Sequence, residues 1–284
     1  GPTWQHGGMP FKAVACDLDG TLLRSDGTLD ERSRRALAAV EATGAMVVIC
    51  TARPARWMRP LAEATGHHGV AICANGGVVW DLHTDAPIEE FPLEPEIARQ
   101  IVVALQEGVP GGHWAVERSN GFGHEPSYEP RWPVPDDTVI EAVEVLVSQP
   151  SVKLMLRHGD LTADELLLRA TELVGHLAEL SHSNSADSLL EIAAAGVSKA
   201  SALTRVCAER GIGSHEVVAF GDMPNDLPML RWAGHAVAVA NAHADLLAAA
   251  DEVTTSNDDA GVARVLERLF GAHAQPPGDF VNRG

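Results

Sequence analysis

The stretch VACDLDGTLL, residues 14–23, decides how the rest of the chain is interpreted. An apolar run leads directly to two carboxylates, Asp17 and Asp19, and Gly20 and Thr21 follow them. Carboxylates two residues apart repel each other unless a cation or a shared proton offsets their charge. The stretch therefore predicts a buried strand that ends at a metal site.

Strand-like and helical segments alternate on both sides of this stretch. The predicted strands are FKAVACD, AMVVICTAR, GVAICANGG, EVVAFGDMPND and HAVAVANA, and the predicted helices include GVSKASALTRVCAERG and AGVARVLERLF. Two more helices are predicted, one from a capping box at Thr28 to Glu31 up to Gly44, and one over residues 54–65 closed by Gly66. This alternation favours a doubly wound, Rossmann-like α/β fold with a parallel sheet and right-handed crossovers.

Polar side chains follow several of the predicted strands at the point where each strand ends. In an open α/β sheet, ligands bind at the carboxyl ends of the strands. We therefore expect these side chains to meet at one edge of the sheet, although they lie far apart in sequence. They are Asp17, Asp19, Thr51, Asp222, Asn225 and Asp226.

The segment of residues 82–195 has a different pattern and is predicted to be an inserted α+β module. It contains predicted helices over residues 94–108, 137–148 and 162–176. Between and after them lie the predicted strands HWAVERS, GFGHEP, SVKLMLRHG, AELSHS and SLLEIAA. Residues 1–8 show no periodicity and are interpreted as a leader or a cloning scar outside the fold.

Composition and charge argue against several classes of function. With 284 residues, 45% of them hydrophobic, the chain is long enough for two domains. The 39 acidic and 21 basic residues give a formal charge of -18, which argues against nucleic acid or an anionic membrane as the partner. An anionic substrate would need a local cluster of cations. No apolar run approaches the roughly 18 to 20 residues of a membrane span and no signal peptide is recognised, so a cytoplasmic protein is expected.

Cysteine and histidine spacing predicts neither a disulfide framework nor a zinc site. Cys16, Cys50, Cys73 and Cys207 lack CxxC spacing and lie in apolar segments, so reduced, packed thiols are expected. The 13 histidines form no HExxH or other tight ligand spacing, so zinc is not expected.

Four motifs, in order along the chain, resemble those of the haloacid dehalogenase-like (HAD) phosphatases. They are DLDGT from Asp17, TAR from Thr51, GVSKASAL with Lys199, and GDMPNDLPML with Asp222. The insert between the second and third motifs, with ANGG after the third predicted strand, is similar to the Cof-type subfamily and its type IIB cap. The resemblance covers nearly all of the chain after Met9.

The resemblance implies a HAD core domain that carries an inserted cap domain. The core would comprise residues 9–81 and 196–284, and the cap residues 82–195. Because the core motifs deal with phosphate and metal only, specificity is expected to lie in the cap, which closes over the site.

The resemblance also implies roles for the motif residues. Asp17 would attack phosphorus and form an aspartyl-phosphate, and Asp19 would act as general acid and base, so the environments of the two carboxylates must differ. Mg²⁺, a hard cation that prefers oxygen ligands, would be held by Asp17, the backbone carbonyl of Asp19, and Asp222.

Further motif residues are expected to bind the phosphate. Lys199, Thr51, Ala52 and Asn225 would contact it, and Asp226 would support the metal ligands and Lys199. The metal and the lysine would supply the local cations that an anionic substrate requires.

Five residues are candidates for contacts with the rest of the substrate, namely Arg53, Asn75, Gly76, Trp114 and Tyr128, and several of them have a structural alternative. Arg53 could equally form a surface ion pair, and Asn75 could stabilise the turn at Gly76. Trp114 and Tyr128 lie in an aromatic-rich segment of the insert, where Trp114 could simply pack between helices and strands.

We therefore predict a Mg²⁺-dependent phosphatase that hydrolyses a small phosphorylated metabolite, either a sugar phosphate or a phosphorylated cofactor. A phosphomutase is disfavoured because its cap typically lies between the first and second motifs, and only a helix's length of chain separates Asp19 from Thr51 here. A non-catalytic regulator that binds a phosphorylated metabolite is the alternative from another class. Such a protein would be expected to have lost Asp17, Asp19 or Lys199.

Overall fold

The structure is a computed structural model that describes residues 11–182 and 186–271. In these ranges the strands are β1 (Ala13–Asp17), β2 (Met46–Cys50), β3 (Val70–Cys73), β4 (Val78–Asp81), β5 (Ala86–Glu90), β6 (Gly112–Arg118), β7 (Gly121–His124), β8 (Val139–Ile140), β9 (Lys153–His158), β10 (Ala178–Ser181), β11 (Leu189–Ala194), β12 (Val217–Gly221), β13 (His235–Ala238) and β14 (Glu252–Val253). The α-helices are α1 (Glu31–Ala42), α2 (Met58–Thr65), α3 (Pro95–Gly108), α4 (Val143–Leu146), α5 (Ala163–Val174), α6 (Lys199–Glu209), α7 (Leu227–Trp232), α8 (Ala244–Ala249) and α9 (Gly261–Phe270).

Eight of the described strands form one sheet in the order β14-β13-β12-β1-β2-β3-β4-β5. The pairs from β14 to β3 are parallel, and β4 and β5 add an antiparallel hairpin at one edge. All five residues of β1 are buried, as expected for a strand whose two faces are both covered. The prediction of a parallel α/β core is confirmed.

Side-chain alternation along the central strands divides this core into two apolar layers. In β1, Val14 and Cys16 belong to the layer that α1, α2 and α9 cover. Ala13 and Ala15 belong to the layer on the other face, which α6, α7 and α8 cover. Because successive side chains of a strand point to opposite faces, one apolar run builds both layers and gives the doubly wound arrangement.

The inserted segment forms a second sheet of six described strands in the order β10-β11-β9-β6-β7-β8. Its pairs are antiparallel except for β7 with β8. Helices α3 and α5 cover one face, where Trp114, Leu154 and Ile192 lie in their apolar layer. The opposite face carries Glu117 and Lys153, which contact the core. The predicted α+β cap is confirmed.

The hairpin of β4 and β5 bears on the boundary between the two domains. The cap was predicted to begin at residue 82, but β5 pairs with β4 in the core sheet. After β5, the amide of Phe91 donates to the carbonyl of Gly77 in the core at 2.8 Å, and the next bridge joins Leu93 to Ser151 of the insert. We therefore propose that the core extends through β5 and that the cap begins near Leu93. The boundary after residue 195 stays a prediction.

The capping box predicted at Thr28 to Glu31 is wrong. Helix α1 begins at Glu31 with Asp30 as its N-cap, and the Asp30 side chain accepts the amide of Ser33 at 2.6 Å. The hydroxyl of Thr28 instead donates to Asp26 at 2.6 Å. Either residue type can cap a helix, so the choice depended on the loop that precedes α1.

The helix predicted over residues 137–148 is also wrong. The segment forms the short strand β8 and the single turn of α4. Val139 and Ile140 pair with Gly123 and His124 at the end of β7. Because β-branched residues fit a pleated sheet well, pairing with β7 outweighs the helical pattern.

The cysteines and the helices bear on two further expectations, packed thiols and the absence of a membrane span. All four cysteines are free and buried, and burial raises the pKa of Cys73 to about 12 and that of Cys207 to about 11. The packed role of the thiols is confirmed. In the described part of the chain, no helix combines the length and the apolar character that crossing a membrane requires.

Candidate active site

Three neighbouring parallel strands bring the first, second and fourth motifs to one edge of the core sheet. β1 ends at Asp17, Thr51 follows β2, and Asp222 follows β12. These strands are adjacent, so their carboxyl ends lie side by side. Lys199 of the third motif reaches the same point from the start of α6. The predicted convergence of Asp17, Thr51 and Asp222 at one edge of the sheet is confirmed.

Asp17, Asp222 and Asp226 form a buried carboxylate cluster. One oxygen of each lies within 4.8 Å of the others. The three residues are 7%, 8% and 0% exposed, so water screens little of their mutual repulsion. Burial and the charge of Asp226 raise the pKa of Asp17 well above its usual value, and burial also raises the pKa of Asp222. The cluster therefore favours a bound cation or a shared proton.

Lys199 is the buried ammonium group of this cluster. Its Nζ donates to Asp17 Oδ1 at 3.1 Å and to Asp226 Oδ1 at 3.3 Å. Burial lowers the pKa of Lys199, but the two carboxylates outweigh burial and hold the pKa above its usual value. Lys199 opens α6 directly after the N-cap Ser198, which forms a capping box with Ser201. The cap fixes the helix start and thereby the position of the ammonium group.

The carboxylate of Asp226 is occupied by hydrogen bonds from the protein itself. Its Oδ2 accepts the backbone amides of Asp222 and Met223 at 3.1 and 3.3 Å, while its Oδ1 accepts from Lys199. These contacts hold the loop after β12 and leave Asp17 and Asp222 as the carboxylates with room for an outside partner.

Gly20 and Thr21 shape the surroundings of Asp222. The hydroxyl of Thr21 donates to Asp222 Oδ1 at 2.8 Å. Gly20 has a φ of +76°, and a Cβ at this position would overlap Asp222 Oδ2. A side chain at residue 20 would therefore displace a candidate metal ligand. No role was predicted for Thr21, although its place in the DLDGT motif was a signal.

The acidic cluster fits a hard divalent cation. Three carboxylates surround one ammonium group, which leaves two negative charges uncompensated. Mg²⁺ prefers oxygen ligands and is usually held by one or two carboxylates together with water and substrate phosphate. Asp17 and Asp222 could hold such an ion.

Asp19 lies outside the buried cluster. Its carboxylate accepts two hydrogen bonds from Arg53, from Nε at 2.9 Å and from Nη2 at 2.6 Å. The Asp19 side chain is 59% exposed, and exposed ion pairs contribute little to stability. Asp17 and Asp19 therefore occupy different environments, and Arg53 forms the ion pair that was its structural alternative.

A cavity of about 690 Å³ lies between this edge of the core and the cap. Its volume is in the usual range for a small-molecule site. Among the described residues, six lysine and arginine side chains line it together with six carboxylates, so the wall itself carries no excess of positive charge. The predicted residues that line it are Asp17, Asp19, Thr51, Ala52, Arg53, Tyr128, Lys199, Asp222 and Asn225.

The two aromatic candidates of the cap lie on opposite faces of its sheet. Tyr128 lines the cavity, and the guanidinium of Arg157 lies 5.2 Å from its ring centre. Trp114 is 2% exposed and packs in the layer covered by α3 and α5, so its role is packing. The alternation in HWAVER was a signal for this, because it places Trp114 and Val116 on one face and Glu117 on the other.

Asn75 and Gly76 form the turn after β3, beside Lys199. Asn75 has a φ of +55° and lines a neighbouring cavity of about 410 Å³, where its amide donates to Glu191 at 3.4 Å. A Cβ at Gly76 would overlap the carbonyl oxygen of Ser198. The turn therefore packs directly under the start of α6, which favours a structural role for both residues.

Two ion pairs in the cavity walls, one partly buried and one buried, were not predicted from the sequence. Arg56 of the core donates to Glu117 of the cap at 2.9 Å. Lys153 of the cap pairs with Glu191 at 2.7 Å and donates to the carbonyl of Ala52 in the core at 2.6 Å. These contacts join the cap to the loop that carries the second motif.

The chain matches a known protein family over most of its length. A model of the haloacid dehalogenase-like hydrolase family matches residues 14–266. The chain belongs to this family. The resemblance inferred from the four motifs is confirmed.

Relatives of this HAD-like hydrolase include named phosphatases. It is 28% identical to a 5-amino-6-(5-phospho-D-ribitylamino)uracil phosphatase of Bacillus subtilis, over 92% of this chain and 97% of that protein. It is 30% identical to a pyridoxal phosphate phosphatase of Escherichia coli, over 91% of this chain and 98% of that protein. The HAD-like hydrolase is a phosphoric monoester hydrolase.

Solved structures of similar proteins share both the core and the cap. The protein TM0651 of Thermotoga maritima matches with a TM-score of 0.75 and 27% identity, over 91% of this chain and 97% of that chain. The HAD subclass IIB sugar phosphatase BT4131 matches with a TM-score of 0.75 over 92% of this chain and 99% of that chain. Its identity of 22% makes this a likeness of fold. The Cof-type assignment with a type IIB cap is confirmed.

Proposed function

We propose that this HAD-like hydrolase is a Mg²⁺-dependent phosphatase that hydrolyses a small phosphorylated metabolite through an aspartyl-phosphate at Asp17. The observation that carries the proposal is the buried cluster in which Lys199 contacts Asp17 while Asp222 lies within 4.8 Å. Phosphate monoesters are so slow to hydrolyse that enzymatic accelerations reach on the order of 10²¹-fold. The cluster provides a nucleophile in Asp17 and one positive charge in Lys199, and a bound Mg²⁺ would offset its surplus negative charge.

In the first step, a carboxylate oxygen of Asp17 attacks phosphorus, and the bond from phosphorus to the leaving oxygen breaks. Asp19 in its protonated form gives its proton to that leaving oxygen. Asp19 must first release Arg53, and the exposure of this ion pair keeps the cost of release small.

In the second step, a water molecule attacks phosphorus of the aspartyl-phosphate, and the carboxylate of Asp19 accepts its proton. The bond from phosphorus to Asp17 breaks, which frees inorganic phosphate and restores the nucleophile. The two carboxylates need different protonation states, and their different surroundings support this division of roles.

The residues around the cluster would stabilise the transferred phosphoryl group. When bound by Asp17, the backbone carbonyl of Asp19, and Asp222, Mg²⁺ supplies positive charge to the phosphoryl oxygens. Lys199 supplies a second positive charge, and Asp226 holds Lys199 in place. The cavity residues proposed to contact the phosphoryl oxygens are Thr51, Ala52 and Asn225.

We further propose that the leaving group carries a heteroaromatic ring, as in a phosphorylated cofactor. Trp57, Phe122, Tyr128 and Trp132 line the cavity, although aromatic residues make up only 5% of the chain. Trp57 and Trp132 meet edge to face, with ring centres 6.0 Å apart. Aromatic side chains favour stacked or edge contacts with planar rings. The named substrates of the two relatives, a ribitylaminouracil phosphate and pyridoxal phosphate, both contain such a ring.

The test is phosphate release from pyridoxal phosphate, flavin mononucleotide and glucose 6-phosphate, with Mg²⁺ and with a chelator. We expect metal-dependent turnover with kcat/KM highest for the ring-bearing substrates. Asp17→Asn should lower kcat by at least about 10⁴-fold because it removes the nucleophile. Asp137→Asn, at an exposed position, is the matched control.

Each part of the proposal has its own contradicting result. Full activity of Asp17→Asn or of the chelated enzyme would overturn the mechanism. A higher kcat/KM for glucose 6-phosphate would overturn the ring-bearing leaving group. A folded protein that binds these phosphates without turnover would favour the non-catalytic regulator.

A further inference from the structure

A second group of metal-ligating side chains lies at the edge of the core sheet opposite Asp17. Glu41 is near the end of α1, His68 precedes β3, and His83 follows β4. The ends of β3 and β4 meet there, because Val70 at the start of β3 pairs with the last residue of the antiparallel β4. One ligand atom of each of the three side chains lies within 4.8 Å of the others.

The carboxylate of Glu41 is the centre of this group. Its Oε2 lies 2.6 Å from His68 Nδ1, and His83 Nε2 lies 3.0 Å from its Oε1. The backbone amide of Gly69 donates to Oε1 at 2.7 Å and so orients the carboxylate. Two imidazole nitrogens from separate loops therefore point at one carboxylate.

The second nitrogen of His83 also has a carboxylate partner. His83 Nδ1 lies 2.9 Å from Asp81 Oδ1, which also accepts the His83 backbone amide at 2.9 Å. Histidines that bind metal through one nitrogen usually donate the other N–H to a carboxylate or a carbonyl. His83 would need a proton on both nitrogens to donate to both carboxylates, and a metal ion at Nε2 replaces one of these protons.

Charge and access also suit a cation. Glu41 and Asp81 place two negative charges around two imidazoles. The side chains of His68 and His83 are 33% and 49% exposed, and Glu41 and His83 border a cavity of about 460 Å³. Solvent can therefore reach the ligand atoms and complete the coordination of a bound ion.

We propose that Glu41, His68 and His83 form a second metal site, separate from the carboxylate cluster, which binds a divalent transition metal with Zn²⁺ as the leading candidate. Two imidazoles and one carboxylate are a ligand set that Zn²⁺ accepts at three protein positions, with water at the fourth. Mg²⁺ prefers oxygen ligands and is disfavoured there. The bound ion would join α1, the loop before β3 and the β4–β5 hairpin.

The experiment is calorimetric titration of Zn²⁺ into the full chain, with saturating Mg²⁺ present to occupy the carboxylate cluster. We expect one Zn²⁺ to bind to the wild type, and this binding to be lost in His68→Ala and in His83→Ala. Asp17→Asn and His215→Ala, whose histidine side chain is 84% exposed, should bind as the wild type does. Asp81→Asn should weaken binding by about 10- to 100-fold, because it removes the carboxylate that orients His83.

Two titration results would overturn the proposed metal site. Zn²⁺ binding with equal stoichiometry and affinity in the wild type, His68→Ala and His83→Ala would overturn it, and so would an absence of binding in the wild type. Circular dichroism checks that each variant is folded. Glu41→Gln removes the carboxylate charge with little change of side-chain shape, and it should likewise lose Zn²⁺ binding. Binding is measured directly, so the result does not depend on the proposed phosphatase mechanism.

Discussion

Two buried lysines face the cavity from opposite sides, and they differ in the charge around them. Lys199, on the core side, lies among three carboxylates and contacts Asp17 and Asp226. Lys153, on the cap side, pairs with the single carboxylate of Glu191 at 2.7 Å and donates to a backbone carbonyl of the core. When every carboxylate is ionised, the first group carries two surplus negative charges, whereas the second group is neutral.

This difference separates a reactive site from a structural contact. A neutral buried pair needs no further ion, although removing one partner leaves the other charge buried and unpaired. A cluster with surplus negative charge must take up a proton or a metal. The charge balance around each lysine therefore predicts that Lys199 serves catalysis and Lys153 serves the junction between cap and core.

The largest effect is expected for stability at the cap junction. Lys153→Met leaves Glu191 buried without its ammonium partner, so the free energy of unfolding should fall by about 3–5 kcal/mol. The double variant Lys153→Met/Glu191→Met removes both charges and should regain most of this loss. Urea denaturation measures both. Unchanged stability in the single variant would show that the pair is not a structural contact.

The next effect concerns the turnover of the two lysine variants. Lys199→Met removes the buried positive charge beside Asp17, so kcat should fall by about 10²- to 10³-fold. Lys153→Met should retain kcat within about tenfold, because the residue contacts a backbone carbonyl and not the nucleophile. Steady-state phosphate release compares them. Equal losses of kcat would remove the distinction between the two lysines.

A smaller effect, on the free energy of unfolding, is expected when the metal is removed and the pH is varied. Because the pKa values of Asp17 and Asp222 are raised in the fold, the folded chain holds protons that the unfolded chain has released above about pH 4. The free energy of unfolding of the metal-free protein should therefore fall as pH rises through the window up to these raised pKa values. The slope is at most about 1.4 kcal/mol per pH unit for each proton held.

Urea denaturation with a chelator at several pH values measures this fall. It should be smaller in Asp17→Asn, and saturating Mg²⁺ should stabilise the wild type most where both carboxylates are ionised. A fall of the same size in the wild type and in Asp17→Asn would assign the pH dependence to other groups.

The smallest effect is expected on substrate preference, at the cap wall. Tyr128→Ala should weaken the binding of ring-bearing substrates by about 0.5–1.5 kcal/mol, which raises KM roughly 2- to 10-fold and changes kcat little. Tyr128→Phe keeps the ring and should retain KM. Steady-state kinetics with pyridoxal phosphate and glucose 6-phosphate make the comparison. An equal rise of KM for both substrates would count against a ring contact at Tyr128.

The parts of the fold that were predicted from sequence are those with strong local patterns. The apolar run before Asp17 predicted β1 because a strand buried on both faces is apolar at every position. The hairpin of β4 and β5 was missed because Val78–Asp81 is short and adjoins the turn at Gly76. The helix predicted over 137–148 was wrong because the pairing partner of its first residues is β7, and the local sequence does not show that partner.

The residues of the candidate site also divide into those that were predicted from sequence and those that were not. Asp17, Thr51 and Asp222 were predicted to meet because each follows a strand, and the edge of a parallel sheet collects such residues. The pair of Arg56 and Glu117 was missed, since it joins residues 61 positions apart on different domains. Trp114 and Tyr128 looked alike in sequence, and the faces of the cap sheet distinguished them.

The sequence by itself determined the α/β core, its strand ends and the identity of the motif residues, because apolar periodicity and the motifs are local properties of the chain. Only the tertiary structure decided which distant charges became partners. It placed three carboxylates around Lys199, one opposite Lys153, and His68 with His83 around Glu41. The physical reason is that such contacts depend on how the sheets and loops are packed against one another, and periodicity along the chain carries no record of that packing.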